Sequence, residues 1–199
     1  MLKIGLTGGI ASGKSEATKI FASQQVPIID ADQVAHEILS HDSNIKQKVI
    51  THFGNDILTK NQKINRKALR NIIFQDIKEK NFLENLLHPV IIGNIQHFLS
   101  SLSKNKDIDY CIVVIPLLFE TYCQKFIDKI IVIDSPIDRQ IERVTKRDGI
   151  NTQQAINIIN YQISREQRLQ YADYIIFNDY DLIDIHNDII ELDKVFKQN

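Results

Sequence analysis

Glycine is concentrated at the start of this 199-residue chain, and its spacing there constrains the fold more than any other feature of the sequence. Four of the seven glycines, Gly5, Gly8, Gly9 and Gly13, lie within the first thirteen residues. Residues 8–15 read GGIASGKS and match the pattern GxxxxGK followed by Ser or Thr. A loop with this pattern turns its backbone N–H groups inward around a phosphate group. The pattern therefore predicts a phosphate loop.

The neighbouring sequence favours a phosphate loop over a flexible glycine turn. The loop follows an apolar run at residues 2–7 and precedes an amphipathic helix that is predicted to begin at Gly13. A random chain of this length would match the pattern at roughly the one-in-a-hundred level. In such a loop we expect Lys14 to contact the β- and γ-phosphates of a nucleotide and the Ser15 hydroxyl to bind Mg²⁺.

Apolar runs without polar alternation predict the buried strands of a parallel sheet. Helical patterns fill the intervals, which predicts an α/β fold built from crossover units. The interval at residues 32–110 is far longer than a crossover needs, so it predicts an inserted helical lobe. Within that lobe Pro89 is expected to break or restart a helix. The five predicted strands are residues 2–7, 26–30, 111–115, 129–133 and 174–177.

The charge balance and the apolar runs exclude several classes of protein. Lys and Arg number 24 against 25 Asp and Glu, a net charge of -1, which argues against a nucleic-acid partner or a membrane-surface protein. Apolar runs fall short of the ~20 residues of a membrane span, and no signal segment is found. Cys111 and Cys123 form no CxxC pair, which fits a reducing compartment. We therefore expect a soluble cytoplasmic protein.

Acidic residues that end predicted strands are candidates for chemistry at the loop. Asp30 and Asp134 each end an apolar run and could each serve as a metal-site acid on pattern alone. Asp32 lies two residues after Asp30, at the sheet edge where ligands of such folds bind. One carboxylate could accept a proton from an attacking hydroxyl while the other orients metal-bound water. Capping of a helix that starts near Gln33 explains the same acids equally well.

A stripe of arginines lies on the helix predicted after Pro136. Arg139, Arg143 and Arg147 are spaced four residues apart and share one helix face. Guanidinium groups bind phosphoryl oxygens, so this stripe could belong to a lid over a nucleotide. Nearby acids could instead pair with the arginines on a solvated face, and charge patterning alone favours that alternative.

Several motifs, taken in order along the chain, resemble those of the dephospho-CoA kinase family. Residues 6–15 are similar to its LTGGIGSGKS signature, and Asp30-Ala31-Asp32 matches its DAD after the second strand. Residues 82–89, FLENLLHP, resemble its LE-x-x-x-HP block. Residues 115–120, IPLLFE, resemble its VPLLFE block.

The later part of the chain carries the rest of the resemblance. A lid motif Q-x-x-R-x-x-x-R-D and a closing segment AD-x-x-x-x-N are both similar to strings in this sequence. The matching residues are Gln140, Arg143, Arg147 and Asp148 for the lid, with Gln162, Ala172, Asp173 and Asn178 for the closing segment. The matches cover nearly the whole chain, and the set in series is specific although the phosphate loop alone is not.

The resemblance implies a P-loop NTPase three-layer sandwich with a five-stranded parallel sheet in the order 2-3-1-4-5. It implies a core at about residues 1–32, 108–135 and 172–199, a helical lobe for the CoA-side substrate at about 33–107, and a lid at about 136–171. The implied reaction transfers the γ-phosphoryl group of ATP to the 3′-hydroxyl of dephospho-CoA, the final step of coenzyme A biosynthesis, with Mg²⁺ present. We expect a cytoplasmic monomer or weak homo-oligomer with no nucleic-acid or membrane partner.

The resemblance also implies roles for individual residues. Asp32 is the implied general base, with Asp30 in support. Lys14 is the implied catalytic lysine, and Ser15 the implied ligand of Mg²⁺. The implied nucleotide-binding residues are Gly9, Ile10, Ala11, Ser12, Gly13, Lys14, Ser15, Glu16, Arg143, Arg147 and Asn178, the last near the adenine. The implied acceptor-binding residues are Thr7, Asp32, His88, Pro116, Leu117 and Leu118.

Two loop residues depart from the family pattern. Ala11 stands where the family has glycine, and it fits without strain if its φ angle is negative. Glu16 stands where threonine is common; its carboxylate suits the start of a helix but lies near the phosphates of a nucleotide. Neither departure removes Lys14 or Ser15.

Two other functions use the same loop. A nucleoside monophosphate kinase would share the core and would phosphorylate AMP, CMP or UMP. A nucleotide-dependent switch would bind nucleotide and hydrolyse it slowly. The guanine-specific NKxD motif of many switches is missing, because its nearest string, residues 105–109, has the acid one place late.

Overall fold

The fold is built on one all-parallel sheet. The structure is a computed structural model that describes residues 1–121, 123–179 and 182–198, with side chains at all of these positions except 74 and 182–184. The strands are β1 (Leu2–Gly8), β2 (Ile28–Asp30), β3 (Tyr110–Val114), β4 (Lys129–Asp134) and β5 (Tyr174–Phe177). Their order in the sheet is β2-β3-β1-β4-β5, so the predicted α/β class and sheet order are confirmed.

Helices fill the intervals between the strands. In the part of the chain that the structure describes, no helix is long and apolar enough to span a membrane. The helices are α1 (Lys14–Ser23), α2 (Ala31–His41), α3 (Ser43–Phe53), α4 (Arg66–Gln75), α5 (Ile77–Leu102), α6 (Ile137–Asp148), α7 (Thr152–Asn160), α8 (Arg165–Gln170) and α9 (Leu182–Lys197).

The chain divides into two compact units. The first unit comprises Met1–Asp30 and Leu99–Asn199 and contains the whole sheet. The second unit, Ala31–Phe98, is helical and overlaps the lobe predicted at residues 33–107. The finer division into core, lobe and lid stays a prediction.

The core of the first unit forms because its central strands are apolar on both faces. Strands β1, β3 and β4 lie between helices, so their side chains are removed from water on either side. Burial of each large aliphatic side chain stabilises the fold by roughly 1.5–3 kcal/mol. The fully buried members of this core include Ile4, Leu6, Ile112, Ile131 and Ile133 from the strands, with Ala17, Phe21, Ile185 and Ile189 from α1 and α9.

The expectation that Pro89 breaks a helix is wrong, because α5 runs through it from Ile77 to Leu102. A proline inside a helix costs about 3 kcal/mol, since one hydrogen bond is lost and the ring crowds the preceding turn. Leu83 and Leu87 before the proline and Ile95 after it are all buried. Their combined burial, at roughly 1.5–3 kcal/mol each, exceeds that cost and keeps the helix continuous.

Candidate active site

The phosphate loop connects the end of β1 to the start of α1, as the sequence predicts. Gly13 caps the helix with a φ of 106°, in the left-handed region that favours glycine. The Ser12 N–H donates to the Gly9 carbonyl at 3.2 Å, which folds residues 9–12 into a turn. The positive end of α1 therefore adjoins a curved backbone, the arrangement that binds anions.

Lys14 places its ammonium group at this loop. Its Nζ donates to the carbonyl oxygens of Gly8 and Gly9, both at 2.8 Å. These two bonds anchor a positive charge beside the residues whose N–H groups would surround a phosphate. Nearby, the Ser12 hydroxyl is buried and has no hydrogen-bond partner among the residues that the structure describes. A buried polar atom without a partner fits a site that takes a polar ligand.

Asn178 lies directly after β5, far from the phosphate loop in sequence, and its side chain contacts that loop. Its Nδ2 donates to the Ser12 carbonyl at 2.7 Å, and its backbone N–H donates to the Asp134 carbonyl at 2.7 Å. A Cβ added to Gly13 would collide with the Asn178 Nδ2 atom. The asparagine thus fills the space that the glycine leaves.

The arginine stripe of α6 divides into two kinds of contact. Arg139 pairs with Glu142 and Arg147 pairs with Asp148, each at 2.8 Å, as the solvated-face interpretation expects. Arg143 instead turns to the loop: its Nη1 donates to the Ala11 carbonyl at 3.4 Å, and its Nη2 donates to Asn178 Oδ1 at 3.3 Å. A nucleotide-binding role for Arg147 stays a prediction.

Asp134, a candidate metal-site acid, is held by an arginine of α8. Arg165 donates to the Asp134 carboxylate from Nε at 2.9 Å and from Nη2 at 2.5 Å. The Asp134 side chain is 1% exposed, and its hydrogen bond raises the pKa of the Arg165 guanidinium. Because β4 pairs with β1, with Ile133 opposite Gly8, this ion pair lies beside the phosphate loop.

Gln140 is a second residue whose contact the sequence did not reveal. Its Nε2 donates to the Ser135 carbonyl at 2.7 Å, so the side chain is buried against the start of α6. A Cβ added to Gly9 would collide with the Gln140 Oε1 atom. The signal for this contact was the glutamine of the lid motif, which by itself gives no position in space.

Ala11 does not have the negative φ angle at which alanine would fit without strain, because its φ is 54°. The turn that closes from Ser12 to Gly9 has Ala11 as its third residue, where type II turns need a positive φ. The geometry of the turn therefore overrides the preference of alanine for a negative φ angle. Glu16, the other departure, pairs with Lys19 at 3.0 Å on the first turns of α1.

The acids after β2 are divided between the two units. Asp30 ends β2 opposite Val114 of β3, and Val114 lies opposite Leu6 of β1. β2 therefore ends at the edge of the sheet where the phosphate loop begins. Asp32 lies in the first turn of α2, in the second unit. That helix begins at Ala31, so the predicted start near Gln33 is two residues late.

The residues predicted to bind the acceptor also lie in both units. Thr7 is buried, and its hydroxyl donates to the Pro116 carbonyl at 3.3 Å. Pro116 and Leu117 are half-buried, whereas Leu118 is fully buried beside Gly5. His88 belongs to α5 in the second unit. Their roles stay predictions.

A parallel sheet of this order, with a phosphate loop after β1 and an arginine of α6 on that loop, defines a phosphate-loop kinase. The family described as Dephospho-CoA kinase matches residues 2–184 of the chain. The chain therefore belongs to the dephospho-CoA kinase family.

Curated relatives and a solved structure agree with this membership. The chain is 46% identical to the Dephospho-CoA kinase of Coxiella burnetii over 90% of this chain and 88% of that protein. It is 40% identical to the Dephospho-CoA kinase of Hahella chejuensis over 98% of this chain and 92% of that protein. It superposes on the Dephospho-CoA kinase from Campylobacter jejuni with a TM-score of 0.74 and 31% identity, over 98% and 97% of the two chains.

The family membership confirms the function predicted from the sequence. The reaction class is phosphorylation of dephospho-CoA in coenzyme A biosynthesis, by an ATP-binding transferase with a small-molecule substrate. The family also accounts for a phosphate loop without a guanine-specific motif.

Proposed function

We propose that this chain transfers the γ-phosphoryl group of ATP to the 3′-hydroxyl of dephospho-CoA, with Lys14 and Asp32 as its central catalytic groups. Lys14 carries the proposal, because its ammonium group is already anchored at the loop by the Gly8 and Gly9 carbonyls. A phosphate oxygen is a stronger partner for an ammonium group than a neutral carbonyl. Lys14 would therefore exchange these carbonyls for the β- and γ-oxygens and offset the charge of the transition state.

Asp32 is proposed as the general base. It follows the last residue of β2 by two positions, and β2 ends at the loop edge of the sheet. In transfer, the 3′-hydroxyl oxygen bonds to the γ-phosphorus, its proton passes to the Asp32 carboxylate, and ADP leaves. Asp30 would support this step by orienting Asp32 or bound water.

The donor set fits Mg²⁺ as the metal of this reaction. Ser15 is exposed in the first turn of α1 and offers a hard oxygen ligand. Within the described residues no cluster of three or more His, Cys, Asp or Glu side chains could hold a metal ion. That suits Mg²⁺, which commonly takes few protein ligands and completes its shell with phosphates and water. When bound, the ion would neutralise charge on the β- and γ-phosphates.

The remaining nucleotide contacts are proposed from the loop and the lid. The loop and the first turn of α1, residues 9–16, would surround the phosphates through backbone N–H groups other than that of Ile10, which stays bonded to Gln162. Arg143 would move from the Ala11 carbonyl to a phosphoryl oxygen. Arg147 would join it by leaving Asp148, and Asn178 would lie near the adenine. Arg143 and Arg147 belong to the proposed lid at residues 136–171, whereas the phosphate loop and Asn178 belong to the proposed core.

The acceptor contacts are proposed for residues of both units. From the family resemblance, acceptor-binding roles are proposed for His88 and Asp32, and separately for Thr7 and residues 116–118. Because Leu118 is fully buried, it would act by supporting Pro116 and Leu117 and would not touch the acceptor. The enzyme would work in the cytoplasm as a monomer or weak homo-oligomer, without a nucleic-acid partner.

The test is ADP release from ATP and Mg²⁺ with dephospho-CoA compared against AMP, CMP, UMP and adenosine. Release only with dephospho-CoA, and a product with the mass of coenzyme A, is the expected result. Release with a nucleoside monophosphate would assign the chain to the rival kinase class. ATP binding without acceptor-stimulated release would favour the switch.

Two variants test the residue roles. Asp32→Asn should lower kcat by roughly 10²-fold or more and leave ATP binding intact, whereas the exposed Asp56→Asn should change neither. Lys14→Ala should weaken both ATP binding and turnover, and Lys19→Ala on the same helix should not. Unchanged turnover in Asp32→Asn would remove Asp32 from its role.

A further inference from the structure

The segment between α7 and α8 is fixed through both backbone groups of one residue, Ile163. The Ile163 N–H donates to Glu120 Oε1 at 3.0 Å. The Ile163 carbonyl accepts from Arg168 Nη2 at 2.9 Å, and Arg168 is buried, so this bond is shielded from water. These two bonds therefore also fix the backbone position from which the side chain of the preceding residue extends.

That preceding residue, Gln162, contacts the phosphate loop. Its Oε1 accepts a hydrogen bond from the Ile10 N–H at 2.8 Å. Ile10 is the second residue of the turn that Ser12 and Gly9 close. Gln162 thus binds the Gly9–Ile10 peptide group, the first peptide group of this turn.

Arg143 holds the other side of the same turn. Its Nη1 donates to the Ala11 carbonyl at 3.4 Å. Gln162 therefore bonds to the loop just before the Ile10–Ala11 peptide, and Arg143 bonds just after it. Ala11 has a φ of 54°, which an L-residue keeps only where its surroundings fix it. These two side chains therefore contribute to holding the Ile10–Ala11 part of the loop in this shape.

We propose that Gln162 is a positioning residue for phosphoryl transfer, which orients the Ile10–Ala11 part of the loop into its phosphate-binding shape before ATP arrives. This inference rests on the proposed function, because it concerns how the same loop presents its N–H groups to the transferred group. Donors that are already in place need no reorganisation when charge develops. Loosening the loop should therefore lower kcat as well as ATP affinity.

Three variants separate this role from general stability. Gln162→Met keeps the length of the side chain and removes the acceptor, whereas Gln162→Glu keeps an acceptor for the Ile10 N–H. Gln153→Met is the matched control, because Gln153 is exposed on α7 and its side chain donates to Asn157 Oδ1 of the same helix, at 3.1 Å. All three are compared with wild type after the folded fraction has been measured by urea unfolding.

We expect Gln162→Met to lower kcat per folded enzyme by about tenfold and to raise KM for ATP, with KM for dephospho-CoA within about twofold of wild type. Gln162→Glu should keep kcat within about threefold, although its charge raises KM for ATP. Gln153→Met should match wild type. A loss of kcat that equals the loss of folded protein would overturn the proposal, as would equal losses of kcat in both Gln162 variants.

Amide hydrogen exchange gives a readout that does not depend on activity. Without nucleotide, the peptide covering residues 8–13 should exchange faster in Gln162→Met than in wild type, and Gln162→Glu should restore slow exchange. Identical exchange in Gln162→Met and wild type would refute the inference. If wild type releases no ADP with dephospho-CoA while Gln162→Met still speeds exchange, the proposed function fails and the positioning of the loop by Gln162 stands.

Discussion

The Asn178 side chain donates a hydrogen bond of 2.7 Å to the Ser12 carbonyl, and its Nδ2 atom occupies the space in which a side chain of residue 13 would begin. The loop after β5 and the phosphate loop are thus fitted to each other although they lie far apart in sequence. Glycine at position 13 serves two purposes here. It permits a φ of 106°, and it leaves room for the asparagine.

This fit predicts coupling between the two residues. We expect Gly13→Ala to destabilise wild type strongly, because the new Cβ meets Asn178 and the φ angle is unfavourable for alanine. In an Asn178→Ala background the steric part of that cost should disappear, so the two changes should be coupled by about 1–3 kcal/mol. Urea unfolding of the two single variants and the double variant measures the coupling, and additive costs would contradict the fit.

Replacing Ala11 by glycine should stabilise the protein. The left-handed backbone of Ala11, with φ of 54°, costs an L-residue about 1–2 kcal/mol, and the added flexibility of glycine in the unfolded chain offsets part of the gain. The expected net increase in the free energy of unfolding is about 0.5 kcal/mol. Ala22→Gly, on an exposed turn of α1, should instead lower it by about 0.5–1 kcal/mol. The same sign for both variants in urea unfolding would refute the prediction.

Tyr110 and Asp193 form a buried hydrogen bond that should stabilise the sheet. The Tyr110 hydroxyl donates to Asp193 Oδ1 at 2.6 Å, and Asp193 also accepts from Lys197 at 2.8 Å. Burial, with the hydrogen bond to Asp193, raises the pKa of Tyr110 far above its ordinary value, so the hydroxyl stays a donor. We expect Tyr110→Phe to lower the free energy of unfolding by about 1.5–3 kcal/mol, because a bond to a charged acceptor is lost.

A matched tyrosine provides the control for that variant. Tyr174 packs its ring against Phe196, as Tyr110 does, so Tyr174→Phe keeps the ring contact and should cost less than about 0.5 kcal/mol. Thermal unfolding of both variants gives the comparison. Similar losses for the two would assign the stability to ring packing and remove the hydrogen bond from the explanation.

Asp173 should make the stability of the fold depend on pH. Burial alone would raise its pKa, but hydrogen bonds from Lys129 Nζ and from the Ile130 N–H, both at 2.8 Å, lower the pKa below the ordinary 3.8. A lowered pKa in the folded state means that the carboxylate stabilises the fold at neutral pH. This contribution is lost as the pH falls from 3.8 through the lower folded-state pKa.

We expect Asp173→Asn to lower the free energy of unfolding by about 1 kcal/mol at neutral pH, since a partly exposed pair contributes modestly. The difference from wild type should shrink as the pH is taken below 3.8. Urea unfolding across this range measures it, with the exposed Asp107→Asn as control. A difference that stays constant with pH would show that the charge of Asp173 is irrelevant.

Much of the fold follows from the sequence because the strands are buried on both faces. An uninterrupted apolar run marks such a strand, and the run at residues 174–177 coincides with β5 as observed. The strand expected at residues 26–30 is two residues longer at its start than β2, because Val26 is buried in the core without belonging to the strand. The sequence does not predict a continuous helix at Pro89, because the local preference of proline gives no account of the buried Leu83 and Leu87 before it and the buried Ile95 after it.

The site was less predictable where contacts depend on distant parts of the chain. Gly13 and Lys14 are evident from local spacing, since the loop is one continuous segment. The three arginines of α6 have equal spacing and similar acidic neighbours, yet Arg143 bonds to the loop while Arg139 pairs with Glu142 and Arg147 with Asp148. Periodicity places side chains on a helix face, but it does not show which of them meets Asn178.

The position of β1 in the middle of the sheet has a consequence for synthesis on the ribosome. β1 is made first, but its neighbours are β3 and β4, and Leu2 lies opposite Tyr110. At a translation rate of ~5–20 residues per second, the first strand and its phosphate loop wait roughly 5–20 seconds for a partner. Residues 31–98 form a compact unit from one continuous stretch, so all of its contacts are available sooner. The phosphate loop is thus made early, but the strand that carries it cannot join the sheet until residue 110 has been made.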